Sequence, residues 1–246
     1  MSQGRLFGKT AIVTGGASGM GASQVEWFVR EGARVLIADV DVNKGSELAS
    51  KFKQSAWFCR LDVTSEEAWT EAVNEAETHF EGPVTILVNN AGVLRDGSVE
   101  TTTLADYRFS TEILQTGVFL GIKAVAASMR RAGGGSIVNI SSTAGLVGNP
   151  NTFAYVAAKW AVRGMTKAAA LDLAPAGIRV NSVHPGNTNT PMIEGKTGKE
   201  YSVDEIPLRR NATVDEISTL VVYLASDEAS YTTGAEHVID GGFTAM

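Results

Sequence analysis

The chain has 246 residues, 44% of them hydrophobic and 20% charged, which fits a folded globular protein and excludes a disordered or fibrous one. A formal net charge of −6 leaves no basic field for nucleic acid or an anionic membrane. Cys59 is the sole cysteine, so neither an intrachain disulfide nor a cysteine-built zinc site is available, and a reducing compartment is expected.

The predicted elements alternate along the chain. Residues 10–14 form a short apolar run that leads into a glycine-rich turn, Thr14-Gly15-Gly16-Ala17-Ser18-Gly19-Met20-Gly21. Residues 21–31 then place Ala22, Val25, Phe28 and Val29 at helical spacing before Gly32. A strand over 34–39, a helix over 43–52, a strand over 57–61 and a helix over 65–80 follow. Next come a strand over 85–89, a helix over 111–131 and a strand over 136–141. The pattern closes with a helix over 153–174, a strand over 179–184, a helix over 214–225 and a strand over 237–239. Strands that are apolar nearly throughout, separated by helices, predict an α/β fold, a doubly wound seven-stranded parallel sheet covered on both faces. The length suits one domain over 1–246. Residues 190–210 lack a clear period and read as a mobile substrate loop. No apolar leader occupies residues 1–9 and no run nears the ~18 apolar residues of a membrane span, so a cytoplasmic protein without a membrane partner is expected. His79, His184 and His237 lack ligand spacing, and no metal is assigned.

The glycine-rich turn would bring the backbone of Gly15, Gly19 and Gly21 close to a pyrophosphate at a helix N-terminus, where free N–H groups and the helix dipole favour negative charge. Ser18 and Met20 lie within the turn. Asp39 ends the second strand, the place from which a carboxylate accepts from ribose hydroxyls and repels a 2′-phosphate. Neither the glycine-rich turn nor Val40 after Asp39 carries a positive charge, so NAD is expected over NADP. Tyr155 and Lys159 stand four residues apart, hence on one face if helical, where the ammonium would favour the phenolate and lower the tyrosine pKa from about 10. A phenol so tuned exchanges a proton with an alcohol or ketone. Ser142, at a strand end, would donate to the substrate oxygen as charge develops there.

These blocks, taken with Asp62-Val63, Asn89-Asn90-Ala91-Gly92 and Pro185-Gly186 with Thr190, resemble the short-chain dehydrogenase/reductase family in its compact branch, in order and spacing, over essentially the whole chain. The resemblance implies Tyr155 as general acid in ketone reduction and base in alcohol oxidation, with Lys159 also holding the nicotinamide ribose. It implies Asp62 and Val63 beside adenine, and Asn89, Ala91 and Gly92 beside the ribose. Thr188 and Thr190, after the Pro185-Gly186 turn, would lie near the carboxamide. It also implies a homotetramer. Many relatives carry an asparagine that steadies a proton-relay water where this chain has Leu114.

Phe153, Leu146, Val147, Leu94, Met192 and Ile193 flank these positions and predict a mainly apolar pocket for a small-molecule secondary alcohol or its ketone. The segments Gly-Gly-Gly-Ser-Ile-Val-Asn-Ile-Ser-Ser, Lys-Trp-Ala-Val-Arg-Gly and Tyr-Thr-Thr-Gly-Ala-Glu are similar to those of bacterial hydroxysteroid and secondary-alcohol dehydrogenases. A carrier-protein thioester ketoreductase shares the residues, but Asp39 and the acidic balance speak against it. A noncatalytic NAD-binding regulator, the reading from another class, is favoured by Leu114 alone.

Overall fold

The computed structural model describes residues 4–196 and 201–245. Strands β1 (Thr10–Thr14), β2 (Arg34–Asp39), β3 (Ala56–Arg60), β4 (Ile86–Asn89), β5 (Gly135–Ile140), β6 (Ile178–Pro185) and β7 (Glu236–Ile239) form one parallel sheet of seven strands among the described residues. Their order is β3-β2-β1-β4-β5-β6-β7. The helices are α1 (Gly19–Arg30), α2 (Val42–Phe52), α3 (Glu66–Phe80), α4 (Leu104–Thr111), α5 (Gly117–Arg131), α6 (Phe153–Leu173) and α7 (Val214–Ala225).

Successive strand residues face opposite sides, and both sides are covered, which is why the strands read as continuous apolar runs. In β1, Ala11 and Val13 join a core with Val25 and Phe28 of α1, Leu48 of α2 and Ile217 of α7. Ile12 faces the other way, into a core with Trp69 of α3, Val125 and Met129 of α5 and Leu173 of α6. The strand order turns back between β1 and β4, so the C-terminal ends of these two strands open a crevice, the usual ligand position of a doubly wound sheet.

The fold departs from the predicted elements in one stretch. α4, a π turn over Glu112–Thr116 and α5 run as one helix, Leu104–Arg131, of which only the part from residue 111 is apparent in the sequence pattern. α4 shows no apolar stripe: Leu104 is 62% exposed, and Ser110 is its buried residue. Its one sequence signal is Thr103, whose hydroxyl accepts from the Asp106 amide at 3.1 Å and caps the helix. The helix has 28 residues and its most apolar 18-residue window has a mean hydropathy of 1.2, the measure of a membrane span by length and composition, contrary to the expectation that no segment reaches it. Leu114, Val118, Leu120, Val125 and Met129 are buried in the protein itself, which explains the apolar composition. In the 190–210 segment, residues 197–200 lie outside the described residues, Val203–Glu205 form a 3₁₀ turn, and Lys196 pairs with Asp96.

Candidate active site

The turn between β1 and α1 is shaped by close backbone approach. Gly15 has a φ of +60°, and a Cβ there would stand 2.8 Å from Ala91 Cα. A Cβ on Gly21 would meet the Gly15 carbonyl oxygen at 2.0 Å, so only glycine lets α1 start this tightly on the turn. The ends of β1 and β4 are tied together across the crevice. Asn90 Nδ2 donates to Thr14 O at 2.9 Å, and Thr14 Oγ1 accepts from the Asn90 and Ala91 amides, each at 3.0 Å.

A cleft of about 270 Å³ lies at this junction. Of the predicted cofactor residues, Gly15, Ser18, Gly19, Met20, Asp39, Asp62, Val63, Ala91, Gly92 and Thr190 line it. Gly21 sits just inside α1, behind the turn. Asn89 is turned into the protein: it is 4% exposed, and its amide donates to Asn139 Oδ1 at 2.9 Å and to Val118 O at 3.5 Å. Its neighbour Asn90 lines the cleft instead, because side chains alternate at the end of β4. Pro185 closes β6, and Thr188 is a buried residue bridged to Ala212 whose hydroxyl donates to Gly186 O at 3.1 Å. Neither lines the cleft.

Asp39 accepts from the Ala17 amide through Oδ2 and from the Asp41 amide through Oδ1, each at 3.0 Å. The bond to Ala17 ties the carboxylate to the glycine-rich turn. Asp62 accepts from Thr64 through both its amide and hydroxyl, which hold its carboxyl below the usual carboxylate range. No lysine, arginine or histidine lines the cleft among the described residues.

Ser142 follows β5, and Tyr155 and Lys159 share a face of α6 one turn apart, as four-residue spacing requires. The Ser142 hydroxyl accepts from the Ala144 amide at 3.1 Å, and its side chain acts on the Tyr155 phenol in the direction that favours the phenolate. Lys159 is 4% exposed; its ammonium stands 5.5 Å from the centre of the Tyr155 ring and donates to Ile140 O at 2.7 Å. The electrostatics correct one expectation. Tyr155 is partly exposed, yet loss of water around it raises its pKa above the ordinary phenol value; the Ser142 side chain, and not the lysine, opposes the rise, and Tyr201 adds to it. Burial brings Lys159 down to about 8. Loss of water penalises the charged form of each group, and the ammonium spends its hydrogen bond on a carbonyl rather than on the phenol.

A second cavity of about 290 Å³ begins one residue past Ser142, at Thr143 and Ala144, and extends to Val147, Gly186, Ile206 and Phe243. Of the residues predicted for an apolar pocket, Val147 lines this cavity and Met192 lines the first cleft, whereas Ile193 faces a separate outer cavity. Phe153 is 46% exposed and lies against Tyr107. Ile206 and Phe243 could not be read from spacing: a hydrogen-bonded turn on Asp240 folds the C-terminal segment back to the site.

A family model described as Enoyl-(Acyl carrier protein) reductase matches residues 15–244. Over 242 residues the chain is 49% identical to a 3-alpha-(or 20-beta)-hydroxysteroid dehydrogenase of Mycobacterium tuberculosis, covering 98% of this chain and 92% of that one. The chain belongs to the short-chain dehydrogenase/reductase family. It is also 48% identical to a trans-4-hydroxycyclohexanecarboxylate dehydrogenase of Sinomonas cyclohexanicum, covering 98% and 95% of the two chains. To an NADP-dependent (R)-specific alcohol dehydrogenase of Lentilactobacillus kefiri it is 41% identical, over 98% of each chain. As a short-chain dehydrogenase/reductase it is an oxidoreductase with a nicotinamide cofactor.

Proposed function

We propose that the protein interconverts a hydrophobic secondary alcohol and its ketone with NAD(H), Tyr155 carrying the transferred proton. The observation that carries this reading is the convergence of Ser142, whose side chain favours the Tyr155 phenolate, with Lys159 beside the Tyr155 ring and a cavity opening at Thr143. The relatives named for hydroxysteroid, hydroxycyclohexane and secondary-alcohol oxidation support the substrate class.

The cleft residues fit a dinucleotide. The glycine turn leaves α1 amides facing it, and Asp39 with Asp62 makes its adenosine end acidic, which suits ribose hydroxyls and opposes a 2′-phosphate. A bound nicotinamide would supply or accept the hydride. Tyr155, kept protonated by loss of water around it, holds the proton at its Oη for delivery to a ketone oxygen; Ser142 donates to that oxygen as negative charge grows. Lys159 holds a positive charge beside the phenol and steadies the phenolate once the proton has left. The apolar side of the second cavity, Ala144, Val147, Ile206 and Phe243, would hold the hydrocarbon part of the substrate. The reading includes a homotetramer in a reducing cytoplasm, with one domain over 1–246.

NADH consumption with a panel of cyclic and aryl ketones tests the proposal. Turnover of neutral cyclic ketones is expected. Tight NADH binding without turnover of any ketone would refute it in favour of a cofactor-binding regulator.

A further inference from the structure

His184 takes no part in the chemistry above, yet both its ring nitrogens are engaged. It is 0% exposed on β6, with Nδ1 3.0 Å from the Ser142 carbonyl oxygen and Nε2 2.9 Å from Ser182 Oγ. A carbonyl oxygen only accepts, so Nδ1 carries the proton. Burial pushes the His184 pKa down, so the ring stays neutral and Nε2 accepts from the Ser182 hydroxyl.

The bond reaches the serine where the sheet no longer holds it. The β5–β6 register ends at Ile140 and Val183, and Ser142 lies two residues beyond in extended backbone. Neighbouring residues are clasped from α6: Lys159 donates to Ile140 O at 2.7 Å, Ser141 Oγ donates to Lys159 O at 3.0 Å, and Arg163 Nη1 donates to Gly145 O at 2.9 Å. The Ser142 carbonyl accepts from the Gly145 amide at 2.9 Å within its own turn and from His184 at 3.0 Å, so His184 is what ties it to the sheet. Carbonyl and hydroxyl stand on one residue, so a peptide rotation that frees the first swings the second.

We infer that His184 is a positioning residue: as a neutral Nδ1–H donor it fixes the Ser142 carbonyl and so aims the serine hydroxyl at the Tyr155 oxygen and the substrate. This rests on the alcohol/ketone reading of Ser142 and Tyr155. The charged groups facing His184 are Glu236, Arg163 and Lys159, and Tyr155 faces Lys159 and Tyr201; substitution of His184 leaves all of them in place.

The test compares His184→Asn, which returns an amide nitrogen to the place of Nδ1, with His184→Gln, which does not. The measurement is the pH dependence of kcat/KM for alcohol oxidation, whose rising limb reads Tyr155 deprotonation and whose midpoint is independent of the fraction folded. The Ser142 side chain favours the phenolate, so losing its alignment moves the midpoint up. His184→Gln is expected to raise the midpoint by about 0.5–1 pH unit and lower kcat about tenfold with KM for NAD unchanged, and His184→Asn to restore both. A loss of amplitude at an unmoved midpoint, or identical behaviour of the two variants, overturns the inference. If His184→Gln does not fold, Ser182→Ala, which frees Nε2, must move the midpoint in the same direction, and an unmoved midpoint again overturns it. A wild type that oxidises no alcohol refutes the underlying reading, whereas turnover with unmoved midpoints refutes only the role of His184.

Discussion

The Lys159 ammonium donates to the Ile140 carbonyl oxygen across 2.7 Å, joining the second turn of α6 to the last residue of β5. The same lysine is thus a structural strut and the nearest cation to the Tyr155 ring, and its burial brings its pKa to about 8.

That depression makes a prediction about stability. From 10.5 down to about 8, it corresponds to about 3 kcal/mol of penalty on the folded state at neutral pH. Between these values the unfolded chain keeps a proton that the folded chain has shed, so the wild type gains stability as pH rises through the window. Lys159→Met, inactive by the proposed mechanism, should therefore compare best with the wild type near pH 7 and lose up to about 3 kcal/mol of that relative standing by about pH 10.5. Urea unfolding at the two pH values checks this; a difference between the proteins that is flat in pH contradicts the buried-lysine account.

Cofactor choice is the second prediction. With Asp39 fixed by the Ala17 and Asp41 amides and no cation lining the cleft among the described residues, NADH should exceed NADPH in kcat/KM by at least about tenfold, or 1.4 kcal/mol. Asp39→Ser should narrow the ratio. Equal values for the two cofactors in the wild type would show that Asp39 only braces the turn.

Tyr155→Phe removes the transferable proton while keeping the ring that packs beside Lys159. Turnover should fall at least ~100-fold, within the range of general acid–base catalysis, while NADH binding by fluorescence titration survives. Retention of the parent rate would show that another group carries the proton.

Leu114 is 0% exposed within the π turn Glu112–Thr116, its methyl group beside Gly92 at the cleft. With an apolar side chain here, a relay water would have to bond to a backbone carbonyl of this turn, and a water-mediated bond can be nearly as good as a direct one. Leu114→Asn should change kcat by less than about tenfold. It should also lower unfolding stability by about 2–4 kcal/mol, because a packed apolar side chain is exchanged for an amide. A hundredfold gain in kcat would mean that the natural site lacks a working relay.

The sequence by itself determined the sheet, the glycine turn and the shared face of Tyr155 and Lys159, because each of these is a local relation. Strands buried on both faces need apolar runs, a backbone in contact with backbone needs glycine, and two groups on one helix face need a spacing of four. Only the tertiary structure decided the rest, for the corresponding physical reason that it depends on distance through space. α4 is held by its continuation into α5 and not by a stripe of its own, so it leaves no period. Asn89 and Asn90 are adjacent and alike, and only the register of β4 sends one into the protein and the other to the cleft. The sign of the Tyr155 shift was decided there too: four-residue spacing puts a cation near the phenol, but loss of water around both groups and the Ile140 carbonyl determine which charge state each one keeps.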